Sequence, residues 1–128
     1  MTRAVLDASA LLALLQAEAG ADVVAQALPG ACMSAVNFGE VVAKLVEIGW
    51  PQDEVVRDLL GLDIEIVPHD EAQAVCAGLL RAITRSVGLS LGDRACLALA
   101  AHIQGVAFTA DRQWLAVRDL KAEVRMIR

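Results

Sequence analysis

The stretch Arg3–Ala19, RAVLDASALLALLQAEA, decides the fold because it changes from strand to helix character within two residues. The apolar run Arg3–Leu6 predicts a buried strand, and the Ala- and Leu-rich run Ser9–Ala19 predicts a helix. Only Asp7 and Ala8 separate the two. A strand that leads at once into a helix is the building unit of a parallel sheet.

The same alternation continues to the end of the chain. Further strands are predicted at Ala31–Met33, Ile64–Val67, Val106–Thr109 and Val124–Ile127. Further helices are predicted at Ala21–Leu28, Ala35–Ile48, Gln52–Leu60, Glu71–Ser86, Asp93–Gln104 and a short segment near Arg112–Val117. The pattern predicts a three-layer α/β/α sandwich with a mostly parallel central sheet of about five strands. It leaves the strand order open. The 128 residues suffice for one core, so we predict a single domain spanning residues 1–128.

Composition excludes several classes of protein. The chain is 57% hydrophobic with a mean hydropathy of +0.54, which excludes a disordered chain. Its most apolar runs, Ala10–Leu15 and Ala95–Ile103, are too short to span a membrane, and no signal peptide is visible. We therefore expect a soluble cytoplasmic protein. The odd number and wide spacing of the cysteines favour buried free thiols over a disulfide or zinc site; they are Cys32, Cys76 and Cys96.

Charge is distributed unevenly along the chain. The formal net charge is −5, which argues against nucleic-acid binding by the whole surface. From Arg81 onward eight basic residues face four acidic ones, a net +4, whereas the remainder has three basic and twelve acidic residues, a net −9. This asymmetry is compatible with an anionic ligand that meets one side only.

Four carboxylates are expected at or near one edge of the sheet. In a parallel sheet the strand C-termini and the following helix N-termini share an edge, and ligands bind there. Asp7 follows the first strand, Asp111 follows the fourth, and Asp93 opens a long helix. Glu40 lies about 9 Å along the helix that follows the second strand.

Each acid also has an ordinary explanation. Asp7, Asp93 and Asp111 suit helix N-caps or first turns, where free amides and the helix dipole stabilise them. On a helical wheel Glu40 falls outside the apolar stripe, and an exposed i, i+4 pair with Lys44 would explain it. Periodicity alone does not select Glu40.

Taken together, the acids indicate a metal site. Two carboxylates about 5 Å apart repel each other by roughly 3 kcal/mol at an effective dielectric near 20, so a cluster requires protons or a cation. Oxygen ligands without nearby Cys or His select Mg²⁺ or Mn²⁺. Such a cation activates water and polarises phosphoryl oxygens, so phosphodiester hydrolysis is the natural chemistry.

Four sequence blocks resemble those of the PIN-domain family, most of all the VapC-type toxins of prokaryotic toxin–antitoxin pairs. They are Asp7-Ala8-Ser9, residues 34–40 (SAVNFGE), residues 89–93 (LSLGD) and residues 108–112 (FTADR). Each block is weak alone, whereas four in this order and spacing are fairly specific. The resemblance covers essentially the whole chain.

The resemblance implies a Mg²⁺-dependent endoribonuclease in which activated water attacks RNA and leaves a 5′-phosphate and a 3′-hydroxyl. The family's acidic positions map onto Asp7, Glu40, Asp93 and Asp111, as catalytic residues and metal ligands, with the role of Asp111 the least defined. Mn²⁺ would be a possible substitute for Mg²⁺. The resemblance further implies a homodimer inhibited by a VapB-type antitoxin.

Four other side chains flank these acids. The family's small hydroxyl residues map onto Ser9 and Thr109, which would hydrogen-bond the carboxylates or a metal-bound water; ordinary capping is the alternative. Arg94 and Arg112 each follow an acidic residue and could hold RNA phosphates or the partner, and solvated surface arginines are the alternative.

Three other functions fit parts of the pattern. A catalytically silent PIN scaffold that binds RNA or protein would keep the fold without cleavage. A phospho-acceptor receiver module would need an acidic pair after the first strand and a lysine near the end of the last, and the chain has only Lys44 and Lys121. A haloacid-dehalogenase-like phosphatase would need Asp-x-Asp, and Ser9 occupies the third position.

Overall fold

The computed structural model describes residues 2–128 and contains one five-stranded sheet in the order β3-β2-β1-β4-β5. Every strand pairing is parallel. The strands are β1 (Ala4–Leu6), β2 (Cys32–Ser34), β3 (Glu65–Val67), β4 (Val106–Thr109) and β5 (Glu123–Met126). Each lies within one residue of its expected position. Since β1 is central, with β2 and β4 on either side, the residues after these strands meet at one edge.

Seven α-helices and a 3-10 helix connect and cover the strands. They are α1 (Ala8–Leu15), α2 (Ala21–Ala27), α3 (Ala35–Glu47), α4 (Gln52–Leu60), α5 (Glu71–Leu79), α6 (Arg81–Thr84), α7 (Leu91–Ile103) and the 3-10 helix Arg112–Ala116. Within residues 2–128, none of these helices combines the length and apolar character that crossing a bilayer requires.

Two apolar layers pack against opposite faces of the sheet, as consecutive strand residues such as Val5 and Leu6 point to opposite sides. The layer containing Leu6 is built with α1 to α4, and the layer containing Val5 is built with α7 and Trp114 of the 3-10 helix. The predicted three-layer α/β/α sandwich is therefore confirmed, with a fully parallel sheet. All three cysteines are free, and Cys32 and Cys96 are buried.

The predicted helix Ser9–Ala19 is too long by four residues, because α1 ends at Leu15. Ala17 adopts a left-handed conformation with φ 53°, and the Glu18 amide donates to the Ala13 carbonyl at 2.9 Å. This is a helix-terminating turn that glycine usually signals. Alanine fills that position here, so the sequence carries no stop signal.

The predicted helix Glu71–Ser86 is divided at Leu80 into α5 and α6. The carbonyl of Ala77, which an uninterrupted helix would pair with the amide of residue 81, accepts a hydrogen bond from Arg94 Nη1 at 3.0 Å. A side chain from α7 thus takes a backbone acceptor of α5, a contact that local sequence does not reveal.

Candidate active site

Asp7 lies buried where β1 ends, with only 4% of its surface exposed. It is the N-cap of α1, since its Oδ1 accepts from the Ala10 amide at 2.8 Å. The same oxygen accepts from Ser9 Oγ at 2.7 Å, and Oδ2 accepts from Thr109 Oγ1 at 2.6 Å. Pairing of β1 with β4 brings Thr109 to this position. Both carboxylate oxygens of Asp7 are therefore held in place.

The two hydroxyls beside Asp7 are themselves oriented by backbone amides. Ser9 Oγ accepts from the Ala110 amide at 2.9 Å, and Thr109 Oγ1 accepts from the Asp111 amide at 3.0 Å. Because each hydroxyl receives a backbone proton, its own proton is directed at Asp7. Ser9 and Thr109 thus contact a site carboxylate; their role in catalysis stays a prediction.

Burial raises the pKa of Asp7 from 3.8 to about 6. The hydrogen bonds from Thr109, Ser9 and the Ala10 amide oppose this rise, and the negative charge of Asp93 adds to it. The Asp7 carboxylate thus accepts three hydrogen bonds, and burial still makes its ionisation unfavourable. Such a group gains from a nearby cation.

Asp93 is the third residue of α7 rather than its first, because Ser90 is the N-cap. Ser90 Oγ accepts from the Asp93 amide at 3.2 Å, and Asp93 Oδ2 accepts from the Ser90 amide at 2.9 Å. This reciprocal capping box fixes the first turn of α7. It commits one carboxylate oxygen of Asp93 to the cap and leaves Oδ1 available.

Glu40 reaches from α3 to the first turn of α7. Its Oε1 accepts from Asn37 Nδ2 at 3.1 Å, and its carboxylate lies against the bare Cα of Gly92. Burial raises the pKa of Glu40 and the charge of Asp93 adds to the rise, while the Asn37 hydrogen bond opposes it. The alternative interpretation as a surface pair is wrong, since the described side chains of Glu40 and Lys44 form no ion pair.

Asp111 lies at the periphery of the acidic group. It is the N-cap of the 3-10 helix, where Oδ1 accepts from the Gln113 amide at 2.9 Å. The charge of Asp93 raises the pKa of both Asp7 and Glu40, whereas Asp111 contributes to neither shift. The structure therefore couples Asp7, Glu40 and Asp93 electrostatically and connects Asp111 to them through its backbone.

The arginines that follow Asp93 and Asp111 both donate to backbone carbonyls. Arg94 is half-buried and reaches Ala77 of α5, while Arg112 Nη1 donates to the Arg128 carbonyl at 2.9 Å. Arg112 is exposed and remains accessible to a ligand. Trp114 in the 3-10 helix is 1% exposed and belongs to the core, so it offers no stacking surface for bases.

The acidic group fits a hard divalent cation in the type of its donors, which are all carboxylate oxygens. The carboxylates do not converge on one metal position. Across the part of the chain that the structure describes, no three Asp, Glu, His or Cys side chains lie close enough together to hold a metal. Burial is the main cause that raises the pKa of Asp7 and of Glu40, and the charge of Asp93 adds to both shifts, so the acids repel each other when they are ionised. A cation would remove that repulsion.

Asn37 is a site residue that the sequence placed at the start of the helix after the second strand without assigning it a role. It is 1% exposed and bridges Glu40 to the Gly92 carbonyl, to which Nδ2 donates at 2.9 Å. The sequence signal for it is a polar residue spaced four and eight residues before the apolar Val41 and Leu45, which are the other buried residues of α3.

Comparison of the sequence with models of known protein families identifies one match. The family model for the PIN domain matches residues 4–120. No curated protein matches the sequence.

Solved structures of low sequence identity share the fold over their full length. A toxin–antitoxin complex from Klebsiella pneumoniae is similar with a TM-score of 0.75 and 21% identity, covering 98% of both chains. DNA-bound VapBC from Salmonella typhimurium has a TM-score of 0.76 and 15% identity, covering 100% of both chains. FitAcB from Neisseria gonorrhoeae has a TM-score of 0.70 and 19% identity, covering 94% of this chain and 95% of its own.

Proposed function

The chain belongs to the PIN domain family, and on that premise we propose that it is a VapC-type toxin that cleaves RNA with the help of Mg²⁺. Membership excludes the receiver and phosphatase alternatives. It leaves the silent scaffold as the competing function, which differs only in whether the acidic group performs chemistry.

The observation that carries the proposal is the environment of Asp7. A scaffold gains nothing from burying a carboxylate, orienting two hydroxyls on it and placing further acids close enough to raise its pKa. A metal-dependent nuclease needs such a group. Perturbed carboxylates at the carboxyl edge of a parallel sheet therefore favour the enzyme.

Asp7, Asp93 and Glu40 would hold Mg²⁺, with Mn²⁺ as a substitute, and Asp111 would complete the site from its periphery. When bound, the cation would activate water and neutralise charge on the phosphate. Ser9 and Thr109 keep Asp7 in one orientation, so that it presents its charge without rearranging. Asp93 stays on a rigid helix turn, because the capping box immobilises it.

A VapB-type antitoxin is the proposed protein partner, since similar folds occur in a toxin–antitoxin complex and in DNA-bound VapBC. Exposed apolar side chains on α3, α4 and the turn between them support a contact surface: Val46, Ile48, Val56 and Leu60. Exposed large apolar side chains on neighbouring elements are the kind of surface that a protein partner covers. A homodimer is also proposed, as the family resemblance implies.

RNA is the proposed substrate, with Arg112 as its candidate phosphate contact. Arg112 is exposed and directly follows Asp111 in the sequence. Each arginine has one donor bonded to a backbone carbonyl, and Arg94 is the weaker candidate because it is half-buried whereas Arg112 is exposed.

Asp93→Asn tests the nuclease proposal. The asparagine oxygen still accepts from the Ser90 amide, so we expect a folded protein. Cleavage of a mixed pool of structured RNAs should fall by at least about 100-fold, because a charged metal ligand is lost. Product ends are read by sequencing for 5′-phosphates. A chelator should stop the wild-type protein, and Mn²⁺ should restore it.

Asp70→Asn is the matched control. Asp70 is also a helix N-cap, accepting from the Gln73 amide at 3.0 Å, and lies outside the acidic group. Cleavage by this variant should equal that of the wild type. If folded Asp93→Asn cuts as well as the wild type, Asp93 does not belong to the site. If cutting resists the chelator, the metal mechanism is wrong. Absence of cutting by a metal-loaded wild type would support the scaffold.

A further inference from the structure

Asn37 joins two helices that carry site acids. It lies in α3, one turn before Glu40, and its Nδ2 donates both to Glu40 Oε1 at 3.1 Å and to the Gly92 carbonyl at 2.9 Å. Gly92 belongs to the first turn of α7 and directly precedes Asp93. One buried amide therefore connects the position of Glu40 to that of Asp93.

The orientation of this amide is fixed by its partners. Both groups that face Nδ2 are acceptors, so the nitrogen must point at them and the oxygen must point away. The oxygen, Oδ1, is buried and finds no donor among the described residues. A buried acceptor without a partner is uncommon in folded proteins. The unpaired Oδ1 is therefore the cost of the orientation in which Nδ2 donates to Glu40 and Gly92.

Gly92 completes the arrangement by its lack of a side chain. A Cβ at this residue would lie 2.6 Å from the carboxyl carbon of Glu40, which is closer than real contacts allow. The Glu40 carboxylate thus rests on the backbone of the turn that carries Asp93. No other glycine in the described chain has a site carboxylate in this place.

We propose that Asn37 is a positioning residue that holds the Glu40 carboxylate against the first turn of α7, so that Glu40 and Asp93 approach the same cation. The proposal rests on the function proposed above. Without the Asn37 amide, repulsion from Asp93 would turn the exposed Glu40 carboxylate away from the first turn of α7. A cation would then have to draw it back, and its affinity would fall.

Asn37→Leu is the primary test, because leucine keeps the volume and removes both donors and the unpaired acceptor. Binding of Mn²⁺ to the purified protein is measured by titration calorimetry and electron paramagnetic resonance, in the absence of RNA. We expect the dissociation constant for Mn²⁺ to rise about 10-fold or more, the usual effect of losing a partner that orients a metal ligand. Asn37→Ala and Gly92→Ala should act in the same direction, the latter by displacing Glu40 with its Cβ.

Thr84→Val is the matched control. Thr84 is fully buried, and its hydroxyl donates to the Leu80 carbonyl at 2.9 Å rather than to a site residue. It should lower stability and leave Mn²⁺ affinity unchanged. Equal losses of affinity in Thr84→Val and Asn37→Leu would show a general effect of stability and overturn the proposal.

A double-mutant cycle separates positioning from support of the fold. In a Glu40→Gln background Asn37→Leu should change Mn²⁺ affinity by about twofold or less, because the carboxylate on which it acts is gone. The same loss in both backgrounds would overturn the proposal. If the wild type cleaves RNA and binds Mn²⁺ while the Asn37 variants match it, this inference alone fails. If the wild type binds no Mn²⁺, the metal-dependent function fails with it.

Discussion

At the scale of single residues, Asp7 shows that the site is organised at a cost to stability. Its carboxyl group is almost fully buried and receives three hydrogen bonds, and its pKa still rises to about 6. Desolvation therefore outweighs the donors. The folded state binds a proton at Asp7 more tightly than the unfolded state does, which is opposite to the usual behaviour of a hydrogen-bonded carboxylate.

Asp7→Asn should stabilise the metal-free protein at neutral pH. Because the folded pKa lies above the ordinary value of 3.8, the contribution of Asp7 to stability falls as pH rises from about 4 to about 6. The full shift corresponds to about 3 kcal/mol, an upper bound for the gain. The free energy of unfolding of both proteins is measured by urea denaturation at several pH values.

The pH dependence provides the control for this prediction. Below about pH 4 both folded forms are neutral at residue 7, so the two proteins should have nearly equal stability. Added Mg²⁺ should raise the midpoint of the wild type alone. A difference in stability that is the same at pH 4 and pH 7 would contradict the assigned ionisation.

At the scale of elements, helix ends determine where the acids stand. Ser90 and Asp93 cap each other across the first turn of α7, and Asp111 caps the 3-10 helix. When each residue is interpreted singly, the sequence suggests that capping excludes metal binding. In the structure the two roles are compatible for these residues. One oxygen of each carboxylate serves the helix, and the other is left over.

Ser90→Ala should destabilise the protein by about 1 kcal/mol, because the Asp93 amide loses its capping acceptor. The free energy of unfolding is measured by urea denaturation. Ser86→Ala is the control, since Ser86 is exposed and caps no helix, and it should change stability by less than about 0.5 kcal/mol. Equal stability of Ser90→Ala and the wild type would remove the capping box as a stabilising feature.

Sequence pattern predicts the strands better than the helix ends. All five strands fall within one residue of expectation, because buried parallel strands are short apolar runs between turn signals. The end of α1 is missed because Ala17, and not glycine, adopts the left-handed conformation. The break at Leu80 is missed because it involves Arg94, a residue distant in sequence.

The site residues follow the same rule: those placed by local sequence are predicted, and those placed by contacts with residues distant in sequence are not. Asp7 and Asp111 could be placed from the sequence, since Asp7 directly follows β1 and Asp111 lies two residues after β4, and these strand ends must lie at the ligand edge. Glu40 required the family resemblance, because its partner, Gly92, lies in another helix. The role of Asn37 was missed for the same reason, because one of its two side-chain hydrogen bonds is to a residue 55 positions away.

At the scale of the whole molecule, the C-terminus closes back on the first helices. Arg128 Nη1 donates to the Ala19 carbonyl at 2.8 Å, and Ile127 packs where a side chain at Gly20 would stand. Ile127 also donates its amide to Thr109, the residue that contacts Asp7. The last residues of the chain thus support the strand end beneath the acidic group.

Gly20→Ala should be distinctly more destabilising than Gly49→Ala. Both glycines have positive φ, 94° and 100°, so each substitution carries a backbone cost of about 1–2 kcal/mol. A Cβ at Gly20 would also lie 2.7 Å from the Ile127 carbonyl oxygen, whereas at Gly49 it meets nothing within 4 Å. Chemical denaturation of both variants isolates the contact with the C-terminus. Equal losses would show that this contact contributes nothing.

The burial of Asp7 also has an evolutionary consequence. A laboratory population of this gene, selected for heat resistance alone and without added divalent cations, should fix neutral replacements at residue 7 early, since these release the desolvation cost of the carboxylate. Populations that must also retain activity should keep the acid and acquire compensating substitutions elsewhere in the core. The codon for residue 7 would then record which selection the gene experienced.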